Sequence, residues 1–502
     1  MIPIKARMFL GALFVASLCQ ADVKLPALIG DHMLLQRDKP VRIFGTADVG
    51  EPVKVSFRGQ SVQTTADALG RWELWLAPMK PAAPSEMNIQ GKNSITVSDV
   101  LVGDVWLGSG QSNMQFAVRQ ANNAEQEIAS ANFAEIRLFD VPRKPSGVPV
   151  EDLESKWQVC TPETVKTFSA VLYFFGRQLH QDLKVPMGLI HTSWGGTPIA
   201  AWISGPSLTA APQLAPFLSF WQDMIASYPD NFVRYQQAEK KWEDNGKMGN
   251  RPAAPMGPGH PHEPTSLYNG MVAPLTKYTV EGALWYQGET EAGRGQGHIY
   301  GEALMTLVQD WRKAFGQGEF PFIWVQLANY GNAAKNGHWM KVQEGQMKAT
   351  QLHGTGMAVI NDIGAATNIH PTDKQDVGKR LALVARHVAY HQEGFEWSSP
   401  IYRQFTNEGS SLRVWFDHAG TGLKTHSDGP VKGFVIAGSD GKFVPGEAKI
   451  EGATVVVSSP EVSNPKAVRY AWDYNPDCNL TNSDGLPASL FRSDDRDEMV
   501  IE

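Results

Sequence analysis

Three cysteines in 502 residues are too few for a disulfide-held scaffold. The fold must rest on an apolar core, and a chain of this length has room for two to four domains. Charge of one sign is also scarce. The net charge is −7, from 45 Lys and Arg against 52 Asp and Glu. No Lys/Arg block interrupts the spread, so nucleic acid is not an expected partner. Beyond the first 21 residues no apolar run reaches the ~20 residues of a membrane span. No Cys/His spacing of a metal site occurs, and neither a metal nor an organic cofactor is expected. What is there is the composition of a soluble globular protein, 42% hydrophobic and 19% charged.

The chain opens with Lys5 and Arg7, then an apolar stretch over 8–19, then a small-residue site ending at Ala21. This order predicts an export leader over 1–21, hence a secreted or periplasmic protein. Leu18 stands where a lipoprotein anchor on Cys19 would need a small residue. Removing the leader leaves Cys160 and Cys478, either paired or two buried thiols.

From 22 to 100 the chain reads as β. VKVSF (53–57) and RWELWL (71–76) alternate apolar and polar residues between turn signals. The stretch 396–502 reads the same way, with SLRVWF (411–416), GFVIAG (433–438), ATVVVSS (453–459) and AVRYAW (467–472). Between them, over 101–395, apolar strand-like runs alternate with helical patterns. The runs are at 100–108, 136–141, 187–194, 282–287, 320–328 and 357–362. The helical segments include 165–183, 299–315 and 373–391, the last with Val377, Leu381, Val384 and Val388 at helical spacing. Such alternation predicts an α/β domain with a mostly parallel, doubly wound sheet. The stretch at about 205–265 interrupts it. It begins helical and aromatic and ends in RPAAPMGPGHPHEP (251–264), too rich in proline for a helix or strand interior. It is either an overhang of the active site or a surface excursion.

Open α/β sheets bind ligands at the carboxyl ends of their strands. Four strand ends carry chemistry. In LGSGQSNMQF (107–116), Ser112 sits at a strand-to-helix turn, as an N-cap or as a nucleophile whose N–H also faces an oxyanion. In HTSWGGTPIAAW (191–202), Gly195 and Gly196 allow close backbone approach, or form a plain turn. In WYQGETEAG (285–293), Gln287 is a candidate oxyanion donor and Glu289 a candidate carboxylate, or both lie on a solvated loop. In NDIGAATNIHPTDKQDVG (361–378), His370 precedes Pro371 on the loop into a helix, as a general base or a structural histidine.

These blocks resemble the sialate O-acetylesterase family, within the SGNH-hydrolase group. The likeness lies in GQSNM (110–114), SWGGTP (193–198), SLYNGMVAPL (266–275), WYQGE (285–289) and IHPTDKQDVGKRLA (369–382), in that order. It extends to LPALIGDHMLLQRDKPV (25–41), GFVIAGSDGKF (433–443) and VRYAWDYNPDCNLTNSDGLPASLFRSDD (468–495). The resemblance implies a flavodoxin-like SGNH esterase domain combined with β-sandwich segments at both ends. It implies an acetylated carbohydrate, sialic acid or xylan among them, as substrate and partner. It implies Ser112 as nucleophile, His370 as base, and an oxyanion hole from the N–H of Ser112, an N–H of Gly195 or Gly196, and Gln287. One departure stands out. SGNH hydrolases carry an aspartate two or three residues before the histidine, and Asn368 and Thr367 stand there. Glu289, Asp362 or a backbone carbonyl would have to orient the imidazole.

Besides a lipase-like esterase acting on short-chain lipids, for which no long apolar run speaks, two rival readings stay open at this stage. A glycosidase would use Glu289 and Asp362 as its carboxylate pair. A non-catalytic carbohydrate-binding protein with a degenerate esterase domain would use neither. The sequence carries no signal of oligomeric state.

Overall fold

The computed structural model describes residues 22–331, 338–427 and 429–495. The leader read over 1–21 lies outside the described residues. The element that organises the molecule is a 17-residue strand, β1, Ser94–Gly110. Its first half alternates exposed and buried residues and pairs antiparallel with Ser85–Gln90. From Val100 onward every residue is buried. That change of pattern is the change from a half-solvated antiparallel strand to one covered on both faces. The boundary expected at 100/101 therefore falls inside one continuous strand.

The buried half of β1 is the centre of a parallel sheet. Its other members are β2 (Phe133–Asp140), β3 (Met187–Ser193), β4 (Gly282–Tyr286), β5 (Phe322–Val325) and β6 (Thr355–Ala358). The order is β2-β3-β1-β4-β5-β6, all parallel. With β2 set aside, together with the short Gln158–Cys160 that pairs antiparallel on its outer side, the remaining five follow the order 2-1-3-4-5 of flavodoxin-like sheets. The chain leaves β1 for β2 and then β3 on one side and later reaches β4 on the other. The crevice at the carboxyl end of β1 is thus a topological switch point, where such sheets bind ligands.

Helices cover both faces. They are α1 (Ala170–Leu183), α3 (Tyr300–Phe315), α4 (His338–Ala349) and α5 (Lys374–Val388), while α2 (Ala215–Asp244) belongs to the interruption between β3 and β4. On one face the Leu172 side chain of α1 lies over Gly108, and Val384 of α5 over Gly356. On the other, Trp311 of α3 packs edge-on against Trp285 and Phe322. Gly378 of α5 lies against Phe174, so close that a Cβ there would stand 2.6 Å from that side chain.

The interruption at 205–265 holds α2, 30 residues with Pro229 inside and one buried residue, Phe217. The proline-rich return packs back along it. Gly257 lies on the Tyr228 ring, the Trp242 indole donates to the Gly249 carbonyl (3.1 Å), and Arg251 pairs with Glu239. The aromatic residues of α2 are thus partly covered by their own return segment.

The C-terminal region is antiparallel. One four-stranded sheet runs Ile401–Asn407, Ser411–Asp417, Thr454–Ser458, Glu447–Glu451, and a second is built on Phe434–Ala437 and Ala467–Tyr470. Cys160 and Cys478 are unpaired thiols. Burial pushes Cys160 up to about 12 and Cys478 up to about 11, which leaves both poor in reactive thiolate. No helix among the described residues is long and apolar enough to cross a membrane.

Candidate active site

β1 ends at Gly110, whose φ of 137° belongs to glycine alone. A Cβ there would stand 2.1 Å from the Tyr286 carbonyl oxygen of the neighbouring strand. This tight passage turns the chain into a one-turn helix, Ser112–Gln115. Ser112 holds its first position, so its N–H has no acceptor within the helix. The loop into α5 brings His370 over it. Ser112 Oγ lies 2.8 Å from His370 Nε2, within proton-transfer reach. Both line an open cavity of about 420 Å³ with Gln115, Phe116, Gln120, Arg143, Trp194 and Gly195. Burial lowers the pKa of His370, and the nearby positive charge of Lys374 lowers it further. The imidazole is therefore neutral at neutral pH, as a base must be.

The carboxylates go elsewhere. Asp362 is gripped by Arg380 through two bonds of 2.6 Å. Among the described residues it makes no pair with His370, because the guanidinium fork occupies both its oxygens. Glu289 does not reach the imidazole either. Its Oε1 accepts from Asn113 Nδ2 (2.6 Å), and its buried Oε2 has no hydrogen-bond partner among the described residues. Asn113 also donates to the carbonyl of Ile369 (3.0 Å), the residue before His370. Glu289 is thus linked to the loop of His370 through Asn113, not directly. The His370 N–H of the main chain donates to Asn368 Oδ1 (2.9 Å).

The oxyanion candidates divide in the same way. Gly195 sits on the serine, where a Cβ would stand 3.2 Å from Ser112 Cβ. Its N–H, however, donates to Gln115 Oε1 (2.7 Å). Gln287 is turned away and fully buried. Its amide donates to the Thr197 carbonyl (3.2 Å) and to Glu291 (2.5 Å), and its oxygen accepts from Tyr300 (3.0 Å). With both N–H groups committed, Gln287 ties loops together and has no donor left for an oxyanion.

A scan against family models matches residues 240–386 to a carbohydrate esterase, sialic acid-specific acetylesterase model. Sialate O-acetylesterases of Rattus norvegicus and Homo sapiens are each 32% identical to the chain. The rat alignment covers 75% of this chain and 76% of that protein, the human one 75% and 73%. The chain belongs to the sialate O-acetylesterase family. A solved carbohydrate acetylesterase from Xanthomonas citri is 38% identical, covers 94% of this chain and 100% of its own, and superposes with a TM-score of 0.82. The family match of residues 240–386 includes Glu289 and His370.

Three features of this family member's site were not legible as candidates in the sequence. Lys374 is fully buried in the first turn of α5, and its Nζ donates to Asn113 Oδ1 (2.6 Å). Arg143 lines the cavity from the segment after β2. A second relay lies in the adjoining cavity of about 510 Å³, which shares Gln115, Gln120 and Arg143 with the first. There His191 Nδ1 is 2.7 Å from Asp140 Oδ1, and Nε2 is 2.5 Å from Ser193 Oγ. His191 and Ser193 are alternate residues of β3, a spacing that puts both side chains on one face of the strand.

Proposed function

We propose that this chain is a carbohydrate O-acetylesterase that works through an acetyl-enzyme on Ser112, on an SGNH-type hydrolase domain. The observation that carries the reading is the 2.8 Å contact of Ser112 Oγ with His370 Nε2, at the switch point of the sheet and open to a cavity. His370 takes the proton of Ser112 as Oγ attacks the acetyl carbonyl. The carbonyl oxygen becomes an oxyanion. Its donors are the N–H of Ser112 and one from the 195–196 pair, that of Gly195 becoming available when Gln115 releases it. Each well-aimed donor is worth ~3 kcal/mol. Collapse breaks the bond to the sugar oxygen, which leaves with the proton from His370. Water, deprotonated by His370, then frees acetate and restores the serine.

The substrate is an acetylated glycan. A sialic acid is favoured by the family and by Arg143, a cation in the cavity wall that can face a sugar carboxylate. The leader over 1–21 adds a secreted or periplasmic site of action. Glu289 and Asp362 do not support the glycosidase reading, because both are engaged elsewhere and neither lines the cavity.

The Asp140–His191–Ser193 relay supports a second reading, with Ser193 as the nucleophile. One experiment separates the two. Ser112→Ala should lose about three or more orders of magnitude in kcat on an aryl acetate, with an organophosphonate labelling Ser112 in the parent enzyme. Full activity in that variant, or label found on Ser193, would overturn the first reading. Acetate release from acetylated sialic acid and acetylated xylan, measured side by side, ranks the glycans.

A further inference from the structure

A lysine in the first turn of a helix is in the wrong place by its charge. The positive end of the helix dipole disfavours it. Burying it costs more, unless it has a partner. Lys374 has both handicaps: it is the first residue of α5, after the cap Asp373, and none of it is exposed. Its surroundings offset them in part. Nζ donates to Asn113 Oδ1 and sits 5.0 Å from the centre of the Phe116 ring and 5.2 Å from that of Tyr286. Those two rings form a cation–π clasp.

Asn113 makes this arrangement more than a local contact. Its amide oxygen takes Lys374, and its amide nitrogen gives one bond to Glu289 and one to the Ile369 carbonyl. One side chain therefore joins the residue after the nucleophile to the residue before the base. Lys374 and Glu289 hold that side chain from opposite ends.

Resting on the Ser112–His370 reading, we propose that Lys374 is a positioning residue of the catalytic pair, which fixes Asn113 between the turn of the nucleophile and the loop of the base and sets its charge at the start of α5, four residues after His370. The groups facing its ammonium are Glu289 from the loop after β4, Tyr286 of β4, Asp373 at the start of its own helix, and His370 on the preceding loop. Glu289 and Asp373 favour the charged lysine, and burial opposes it, bringing Lys374 down to about 7. Lys374 in turn makes the imidazolium of His370 less favourable. The base and the lysine thus hold their protons against each other.

The test compares Lys374→Gln with Lys374→Arg. Glutamine keeps a donor for Asn113 and loses the charge, whereas arginine keeps the charge. In the Gln variant the acid limb of the kcat/KM–pH profile should move up by roughly half a unit to one unit. Its kcat on aryl acetate should fall with little change in KM. The Arg variant should keep the acid limb of the parent, whatever its kcat. If Gln does not yield folded protein, as judged by circular dichroism, Lys374→Met replaces it with the same expected shift. A folded Gln or Met variant whose profile superposes on that of the parent would overturn the proposal. Organophosphonate labelling of Ser112 in the parent is measured alongside. Its absence sinks the serine reading, while its presence with an unmoved acid limb sinks only the role of Lys374.

Discussion

His370 is met by a hydroxyl on one side and, among the described residues, by no carboxylate on the other. The two acidic residues that sequence position makes attractive differ in what they touch. Asp362 is one partner of a bidentate pair with Arg380, which also donates to the Val359 carbonyl (2.8 Å). Asp362→Asn should therefore cost stability and leave kcat on aryl acetate within a few-fold of the parent. Glu289→Gln acts on Asn113 and through it on the Ile369 carbonyl. It should lower kcat by about ten-fold to a hundred-fold, the scale of a lost orienting group. Steady-state kinetics on the two variants checks this, and a larger loss for Asn than for Gln would reverse the assignment. Ser112 and His370, which the structure brings to 2.8 Å, were legible as candidates because a glycine-turned strand end and a histidine before a proline each leave a local mark. Lys374 was not. A lysine in the first turn of a helix looks solvated until the fold shows what covers it. Gln287 was misread for a similar reason: its place after a strand suggests the cavity, but side-chain direction is decided by the Glu291 and Thr197 partners it finds.

At the scale of elements, the alternation of apolar runs and helical patterns was enough to give the parallel sheet and its covering helices. What it missed was continuity. β1 serves two sheets, and a strand whose two halves differ in burial looks in sequence like a boundary. The interruption at 205–265 was visible from its prolines, but not the way its return segment lies along the aromatic residues of α2. That segment meets the site only at its margin. His262 accepts from Arg294 (2.8 Å), whose guanidinium stacks 4.6 Å from the centre of the Phe220 ring. Among the described residues, none from the interruption lines the cavity of Ser112. Residues 229–256 can be replaced by a short Gly/Ser turn that joins Tyr228 to Gly257, which already touch. The shortened enzyme should keep the kcat/KM of the parent on aryl acetate, since long surface excursions cost little to close or remove. It should lose activity only on polymeric glycan, if α2 guides a chain to the cavity. Loss of the small-ester activity in a folded variant would mean that the excursion shapes the site itself.

For the molecule as a whole, the buried ionisable groups around the site set how stability responds to pH. Glu291 is fully buried, with its oxygens accepting from the Ile199 N–H (2.7 Å) and from Gln287. Burial raises it to about 7 from an ordinary 4.5, against the opposing pull of those bonds. Between these two values the folded chain holds a proton that the unfolded chain has released. The stability this group supplies is therefore complete below about 4.5 and is lost as pH rises through about 7. At ~1.4 kcal/mol per unit the loss is about 3 kcal/mol. Lys374 works in the opposite window. Burial lowers it from 10.5 to about 7, so there the unfolded chain holds the extra proton and stability recovers as pH rises from about 7 towards 10.5. The contributions of the two groups meet in a trough near neutrality, the pH range in which a neutral His370 is needed. Glu291→Gln shifts stability by an amount that does not depend on pH, through altered bonds to Gln287 and Ile199, and it also removes the acid-side slope. Denaturant unfolding of parent and variant at pH 5 and at pH 7.5 separates the two effects. The stability difference, parent minus variant, should be more favourable to the parent at pH 5 by about 2 kcal/mol, part of the full loss having already occurred below pH 5. A difference that is the same at both pH values would mean that Glu291 is ionised throughout, held so by Arg294 and its two donors.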